Sequence, residues 1–281
     1  MKTNLVIKMN EITGHYTFVR NYRTYYETAG TGQPVICLPM AGATGSEYRH
    51  FMESVPAGIK TITLDMPGHG KSLPDFNTMA DFKDVDDYLD YVWEFIESLK
   101  LTKPVIIGAA MNANTALLEA ARHCGEVKAV VAINGGIVPS KGYIAMFDDP
   151  HINFEEIKVR YINKFCDPNI TREKLNECIW YGVRSQNRTT AAQDCRLFAE
   201  LSVSGKLNDL KLPVLMLTGA SDRAAENADG RNEILALPYS VEKVVEDAGH
   251  YLIIEQPEKM TEAILRFLNS TGISMEGAEY E

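Results

Sequence analysis

The chain has 281 residues, 45% hydrophobic and 23% charged, with 28 Lys+Arg against 38 Asp+Glu and a net charge of -10 at pH 7. This is the composition of a soluble globular protein that can bury a core without metals or disulfides. An acidic chain with no basic run does not suit phosphate backbones, and no apolar stretch reaches the roughly 20 residues of a membrane span, so neither nucleic acid nor membrane is an expected partner.

Met1 to Lys8 lacks the long apolar region and small-residue cleavage site of a leader, which predicts a cytoplasmic location. In chain order, Tyr25-Tyr26-Glu27-Thr28 reads as a strand closed by a turn at Ala29-Gly30-Thr31-Gly32, a glycine pattern too weak for a nucleotide site. Val35-Ile36-Cys37-Leu38 and Thr61-Ile62-Thr63-Leu64 are apolar runs suited to buried parallel strands. Val85, Tyr88, Leu89, Val92, Ile96 and Leu99 recur with the 3.6-residue period of a helix. Further strands follow at Val105-Ile106-Ile107 and Ala129 to Ile133, separated by a helical run from Thr115 to Ala121. The last strands are Val214 to Leu217 and Lys243 to Glu246.

Strands alternating with helices predict an α/β fold, a mostly parallel central sheet with helices on both faces. Residues 137–207 break the rhythm, being helical in tendency, aromatic-rich and strand-poor, and are expected to form a helical cap inserted between core segments 1–136 and 208–269. Residues 270–281, small and acidic, are expected to be a flexible tail. Cys37, Cys124, Cys166, Cys178 and Cys195 are odd in number and form no C-x-x-C, which suggests free thiols and no zinc site.

Ligands of parallel sheets bind beyond the C-terminal strand ends. The segments there are Leu38-Pro39-Met40-Ala41-Gly42-Ala43-Thr44-Gly45, Asp65-Met66-Pro67-Gly68-His69-Gly70-Lys71-Ser72, Gly108-Ala109-Ala110-Met111-Asn112, Gly219-Ala220-Ser221-Asp222 and Ala248-Gly249-His250. Their order and spacing resemble the α/β-hydrolase superfamily over residues 15–269. The resemblance implies an α/β-hydrolase fold, Asp222 as the acid and His250 as the general base. It also implies an oxyanion hole from the backbone N–H of Met111 with that of Ala41 or Met40. His69, flanked by glycines, reads as structural.

The family's nucleophile elbow is Gly-x-Ser-x-Gly, but Ala110 occupies the serine position and Asn112 that of the last glycine. A methyl group cannot attack a carbonyl, so the chain as written cannot form an acyl-enzyme. Either Ala110 replaces a serine, or the serine is naturally absent. Three readings follow. The first is an esterase, lactonase or carbon–carbon hydrolase whose Ser-His-Asp triad requires serine at position 110. The second is a serine-less enzyme in which His250 assists non-hydrolytic chemistry such as cyclisation, elimination or decarboxylation. The third is a pseudoenzyme that binds a small molecule. The enzyme readings expect a small, largely apolar carbonyl compound as partner and the third an apolar small molecule; no cofactor or metal is expected, and the chain is expected to be a monomer or homodimer. The cavity is expected over Ala110, with Phe147, Trp180, Tyr181 and Arg184 of the cap contacting the substrate. Arg160 and Arg188 are further possible anion contacts.

Overall fold

The computed structural model describes residues 9–72, 82–139, 144–146, 149, 151–184, 187–224, 230–273 and 275. The chain enters the sheet as a hairpin of β1 (Thr13–Val19) and β2 (Tyr22–Gly30), paired from Thr13↔Thr28 to Val19↔Tyr22. The sequence pattern shows only the middle of β2. Most of β1 is exposed or half-buried, so this edge strand lacks the continuous apolar run of a buried strand. Its turn residue Arg20 sits at φ 52° and ties the hairpin to the following helix layer through Asp87 and Glu94, at 2.6 and 2.9 Å.

The parallel strands are β3 (Gly32–Leu38), β4 (Gly58–Leu64), β5 (Val105–Ala109), β6 (Ala129–Ile133), β7 (Val214–Gly219) and β8 (Ser240–Val245). The sheet has eight strands in the order β1-β2-β4-β3-β5-β6-β7-β8, and all pairings from β4 to β8 are parallel. Every residue of β5, β6 and β7 is buried, because helices cover both faces of a parallel sheet.

Successive residues of each strand serve opposite cores. On one face, Ile36, Leu38, Ile106 and Val130 meet α2 (Val85–Ser98) and α3 (Met111–Arg122). On the other, Val35, Cys37, Ile107 and Val131 join the layer of α1 (Arg49–Ser54) and the C-terminal helix. Asp84 starts α2 by accepting the Asp87 N–H, satisfying one of the donors left open at a helix N-terminus.

Between β6 and β7 lie α4 (Phe154–Phe165), α5 (Arg172–Val183) and α6 (Arg188–Glu200), with Asn153, Thr171 and Asn187 as their N-caps. They rest on the loops at the C-terminal ends of the strands: the His250 N–H donates to the Phe165 carbonyl at 2.8 Å, and the Gly42 N–H to Asp194 at 2.7 Å. After β7 come α7 (Arg231–Leu235), α8 (Leu252–Glu255) and α9 (Pro257–Ser270). Among the described residues, no helix is long and apolar enough to cross a membrane.

The expected flexible tail needs correction at its start. Ile273 is 3% exposed and Met275 9% exposed, and both pack into the α1/α9 core. Small and acidic neighbours conceal two apolar anchors there, and burying them extends the core beyond residue 269.

Candidate active site

The turn from β5 into α3 is built for close approach. A Cβ on Gly108 would overlap the Asn112 carbonyl and come within 2.8 Å of the Ala113 nitrogen, so only glycine fits. Ala110 caps the turn at φ 50°, ψ -114°, a left-handed conformation that costs a non-glycine residue about 1–3 kcal/mol. Its N–H is held by the Ile133 carbonyl at 2.9 Å. The strained elbow therefore persists although its tip carries only a methyl group.

Asn112 has a structural task that glycine could not perform. Its Nδ2 donates to the Pro39 carbonyl at 2.6 Å, and its Oδ1 accepts from the Tyr88 hydroxyl at 2.9 Å. Both bonds are buried, and they tie the elbow to the loop after β3 and to α2.

His250 and Asp222 come together from loops after β8 and β7. His250 Nδ1 lies 3.0 Å from Asp222 Oδ2, and the Asp222 side chain is fully buried. Burial disfavours the charged imidazolium, but Asp222 outweighs it and raises the pKa of His250 above the ordinary histidine value. With Nδ1–H donating to Asp222, Nε2 is left as the basic nitrogen.

Two residues that sequence reasoning did not assign to the site hold this loop. Asn134 Nδ2 donates to the Gly249 and His250 carbonyls at 3.2 and 3.0 Å, while its Oδ1 accepts the Gly219 N–H at 3.0 Å. The buried Glu255 carboxylate accepts N–H groups from Gly249, Tyr251 and Asp167 at 3.0, 2.9 and 2.7 Å. His69 is packed away from the cavity lining. Its Nδ1 faces the Pro67 carbonyl at 3.1 Å and its Nε2 lies 3.2 Å from Asp194 of the cap.

A cavity of about 420 Å³ lies over Ala110, lined by Met40, Ala41, Ala43, Glu47, Ile137, Val138, Pro139, Lys158, Tyr161, Lys164, Phe165, Gly182, Cys195, Phe198, Arg223, Ala224, His250 and Tyr251. Of the proposed oxyanion donors, Met40 is corrected: its N–H is already given to Glu47 Oε2 at 3.1 Å. Ala41 lines the cavity; Met111 is buried and its side chain does not line it, while its N–H lies in the first turn of α3, ahead of the first intrahelical bond.

The expected cap contacts also change. Phe147 lies outside the described residues. Trp180 is 52% exposed and stacks under the Arg184 guanidinium at 4.0 Å, and Arg184 also donates to Ser46 at 2.9 Å. Tyr181 is buried in the α1/α9 core. None of these three lines the cavity, because α5 meets it through Gly182, where a Cβ would press on Ile162 at 2.6 Å. Tyr161 and Phe165 of α4 and Phe198 of α6 supply the aromatic wall instead. Arg160 pairs with Glu156 on the surface, and Arg188 donates to the Asp149 and Ile152 carbonyls.

The wall is also more ionic than expected. Glu47 is 2% exposed, and burial pushes its carboxyl up to about 7. Lys158 is 8% exposed, and burial lowers its ammonium pKa against the pull of Cys195, Glu47 and Asp194. Lys158 falls within the stripe Phe154, Ile157, Tyr161, Ile162, Phe165 that faces inward from α4, but sequence periodicity alone does not mark a lysine there as buried. Glu47, in a single short turn at Gly45–Tyr48, left no signal either.

Comparison with known proteins places these features in context. The model of the "Alpha/beta hydrolase family" matches residues 35–263. The (E)-2-((N-methylformamido)methylene)succinate hydrolase of Acinetobacter baylyi is 22% identical over 260 residues, covering 89% of this chain and 96% of that protein. The 2-hydroxy-6-oxononadienedioate/2-hydroxy-6-oxononatrienedioate hydrolase of Paraburkholderia phymatum is 22% identical, over 88% of this chain and 91% of its own. Among solved structures, the enol-lactonase from Burkholderia xenovorans superposes with a TM-score of 0.79 at 17% identity, covering 91% of this chain and all of that one.

Proposed function

This chain belongs to the alpha/beta hydrolase family, and on that premise we propose that it is an enzyme acting on a small carbonyl compound bound over Ala110. The observation that carries the reading is the His250–Asp222 pair, 3.0 Å apart, with His250 in the wall of the cavity over Ala110. The substrate carbonyl points at the Ala41 and Met111 N–H groups, where negative charge on oxygen is stabilised by fixed donors. His250 Nε2 removes a proton from a carbon next to that carbonyl or from a water beside it, and Asp222 stabilises the resulting imidazolium. No step requires a side-chain nucleophile, which suits alanine at position 110. The names of the relatives, hydrolases of a succinate derivative and of oxo-dioates, support a carbonyl substrate.

The test is turnover by the chain as written of a panel of lactones, dienoic oxo acids and p-nitrophenyl esters, with and without His250→Ala. Removing a general base lowers the rate by about 10²–10⁴-fold. Activity that is indifferent to His250→Ala overturns the reading.

A second reading rests on the conformation of Ala110. Its φ of 50° keeps the strained elbow that otherwise serves to lift a nucleophile. In this reading Ala110→Ser supplies an attacking hydroxyl, His250 takes its proton, and the same N–H pair holds the tetrahedral oxyanion. A gain of ester hydrolysis with an initial acyl-enzyme burst supports it. A serine variant as inert as the parent removes it.

A further inference from the structure

The cavity holds a buried carboxyl group and a buried lysine amine that do not bond to each other. Glu47 comes from the short turn after β3 and Lys158 from the cap helix α4. They influence each other electrostatically, yet no hydrogen bond or ion pair joins them. The remaining acids near Lys158 do not satisfy it either, since Asp194 is engaged by the Gly42 N–H and His69.

One oxygen of Glu47 is fixed by the Met40 N–H, while Oε1 is buried without a partner among the described residues. The unpaired Glu47 oxygen is costly to leave buried, and the Lys158 ammonium, which lines the same cavity, has no carboxylate bonded to it among the described residues. Both line the cavity that holds Ala110 and His250. The chain carries a net charge of -10, but the cavity wall presents Lys158, Lys164 and Arg223 against the single carboxyl of Glu47. An anion with hydrogen-bond acceptors therefore suits the gap between Glu47 and Lys158.

We propose that Lys158 and Glu47 form a carboxylate-binding subsite, so that the substrate is an oxo acid with its carbonyl over Ala110 and its carboxylate between these two side chains. The assignment deepens the reading given under Proposed function, because it names the substrate class of the same cavity. Lys158 supplies the charge-assisted bond, and Glu47 in its protonated form donates a second hydrogen bond to the carboxylate. Ionised Glu47 instead repels the ligand. Affinity for the acid should accordingly fall as pH rises through the Glu47 titration near 7. The groups facing Glu47 are Lys158, His250 and the phenols of Tyr48 and Tyr251. Of these, His250 also loses positive charge as pH rises, so Glu47→Gln is needed to separate the two contributions.

The experiment is calorimetric titration of the full chain with 4-oxo-4-phenylbutanoate and with its methyl ester, at about pH 6 and about pH 8. The acid should bind about tenfold or more tightly than the ester at the lower pH. Lys158→Met should erase that preference, and Lys158→Arg should keep most of it. Glu47→Gln should flatten most of the pH dependence of acid binding. If Lys158→Met does not fold, Lys158→Gln carries the same comparison. Equal affinity for acid and ester, no binding of the acid, or an unchanged preference in Lys158→Met overturns the subsite. These outcomes are independent of turnover. A chain that prefers the acid but is catalytically inert keeps the subsite and loses the proposed reaction. His250-dependent turnover without an acid preference does the reverse.

Discussion

Replacing Glu47 with glutamine should make the protein more stable, and increasingly so as pH rises. Glutamine keeps an acceptor for the Met40 N–H and removes the titrating proton. The carboxyl moves from 4.5 in the unfolded chain to about 7 in the fold, chiefly because burial penalises its charge. A folded pKa above the unfolded one means that the folded state binds more protons between the two values. Its contribution is therefore complete below about 4.5 and is lost as pH rises through about 7. Two to three pKa units correspond to about 3 kcal/mol, and most of that, about 2–3 kcal/mol, falls between about pH 5 and pH 8. Because Glu47 is 2% exposed, solvent screening removes little of it. Urea denaturation of parent and variant across this pH range measures the difference directly. Glu119, raised to about 8 by burial, titrates in both proteins and cancels from the comparison. Parallel stability curves for parent and Glu47→Gln would refute the burial argument, and with it the pH dependence expected of ligand binding.

Asn112→Gly, which restores the glycine of the family's elbow, should destabilise this chain by about 2–4 kcal/mol. It leaves the Pro39 carbonyl and the Tyr88 hydroxyl unpaired and frees the backbone of α3; the midpoint of urea unfolding reads it. Gly108→Ala should cost about 4 kcal/mol or more, or prevent folding, because the new methyl overlaps the Asn112 carbonyl, and soluble yield with circular dichroism reports the outcome. Asp222→Asn should lower the pKa of His250, since it removes the main charge that offsets burial of the imidazole; an NMR titration of its ring protons shows the direction. Asn134→Ala should loosen the His250 loop by removing three hydrogen bonds, two of them fully buried, seen as faster amide exchange at Gly249 and His250.

The sheet is legible in the sequence because its central strands are buried on both faces and therefore read as unbroken apolar runs, such as Val105-Ile106-Ile107 and Ala129 to Ile133. The elbow and Asp222 are legible for a related reason: each follows such a run, and a parallel sheet delivers those loops to one edge. His250 follows the mostly exposed edge strand β8 and is legible through the family resemblance instead. The β1 edge strand escapes because exposed residues need no apolar pattern. The cap is legible as helical, but not in its orientation. Periodicity reveals that a helix has an apolar face without revealing what covers it, so Trp180 reads as well as Tyr161 for a cavity wall. Only the packed structure turns Trp180 outward and Tyr161 inward. Glu47 and Lys158 depend on tertiary structure most of all. Charged side chains belong by default to the surface, and their burial is created when the cap, held by contacts such as Gly42 to Asp194, closes over a turn more than a hundred residues earlier in the chain.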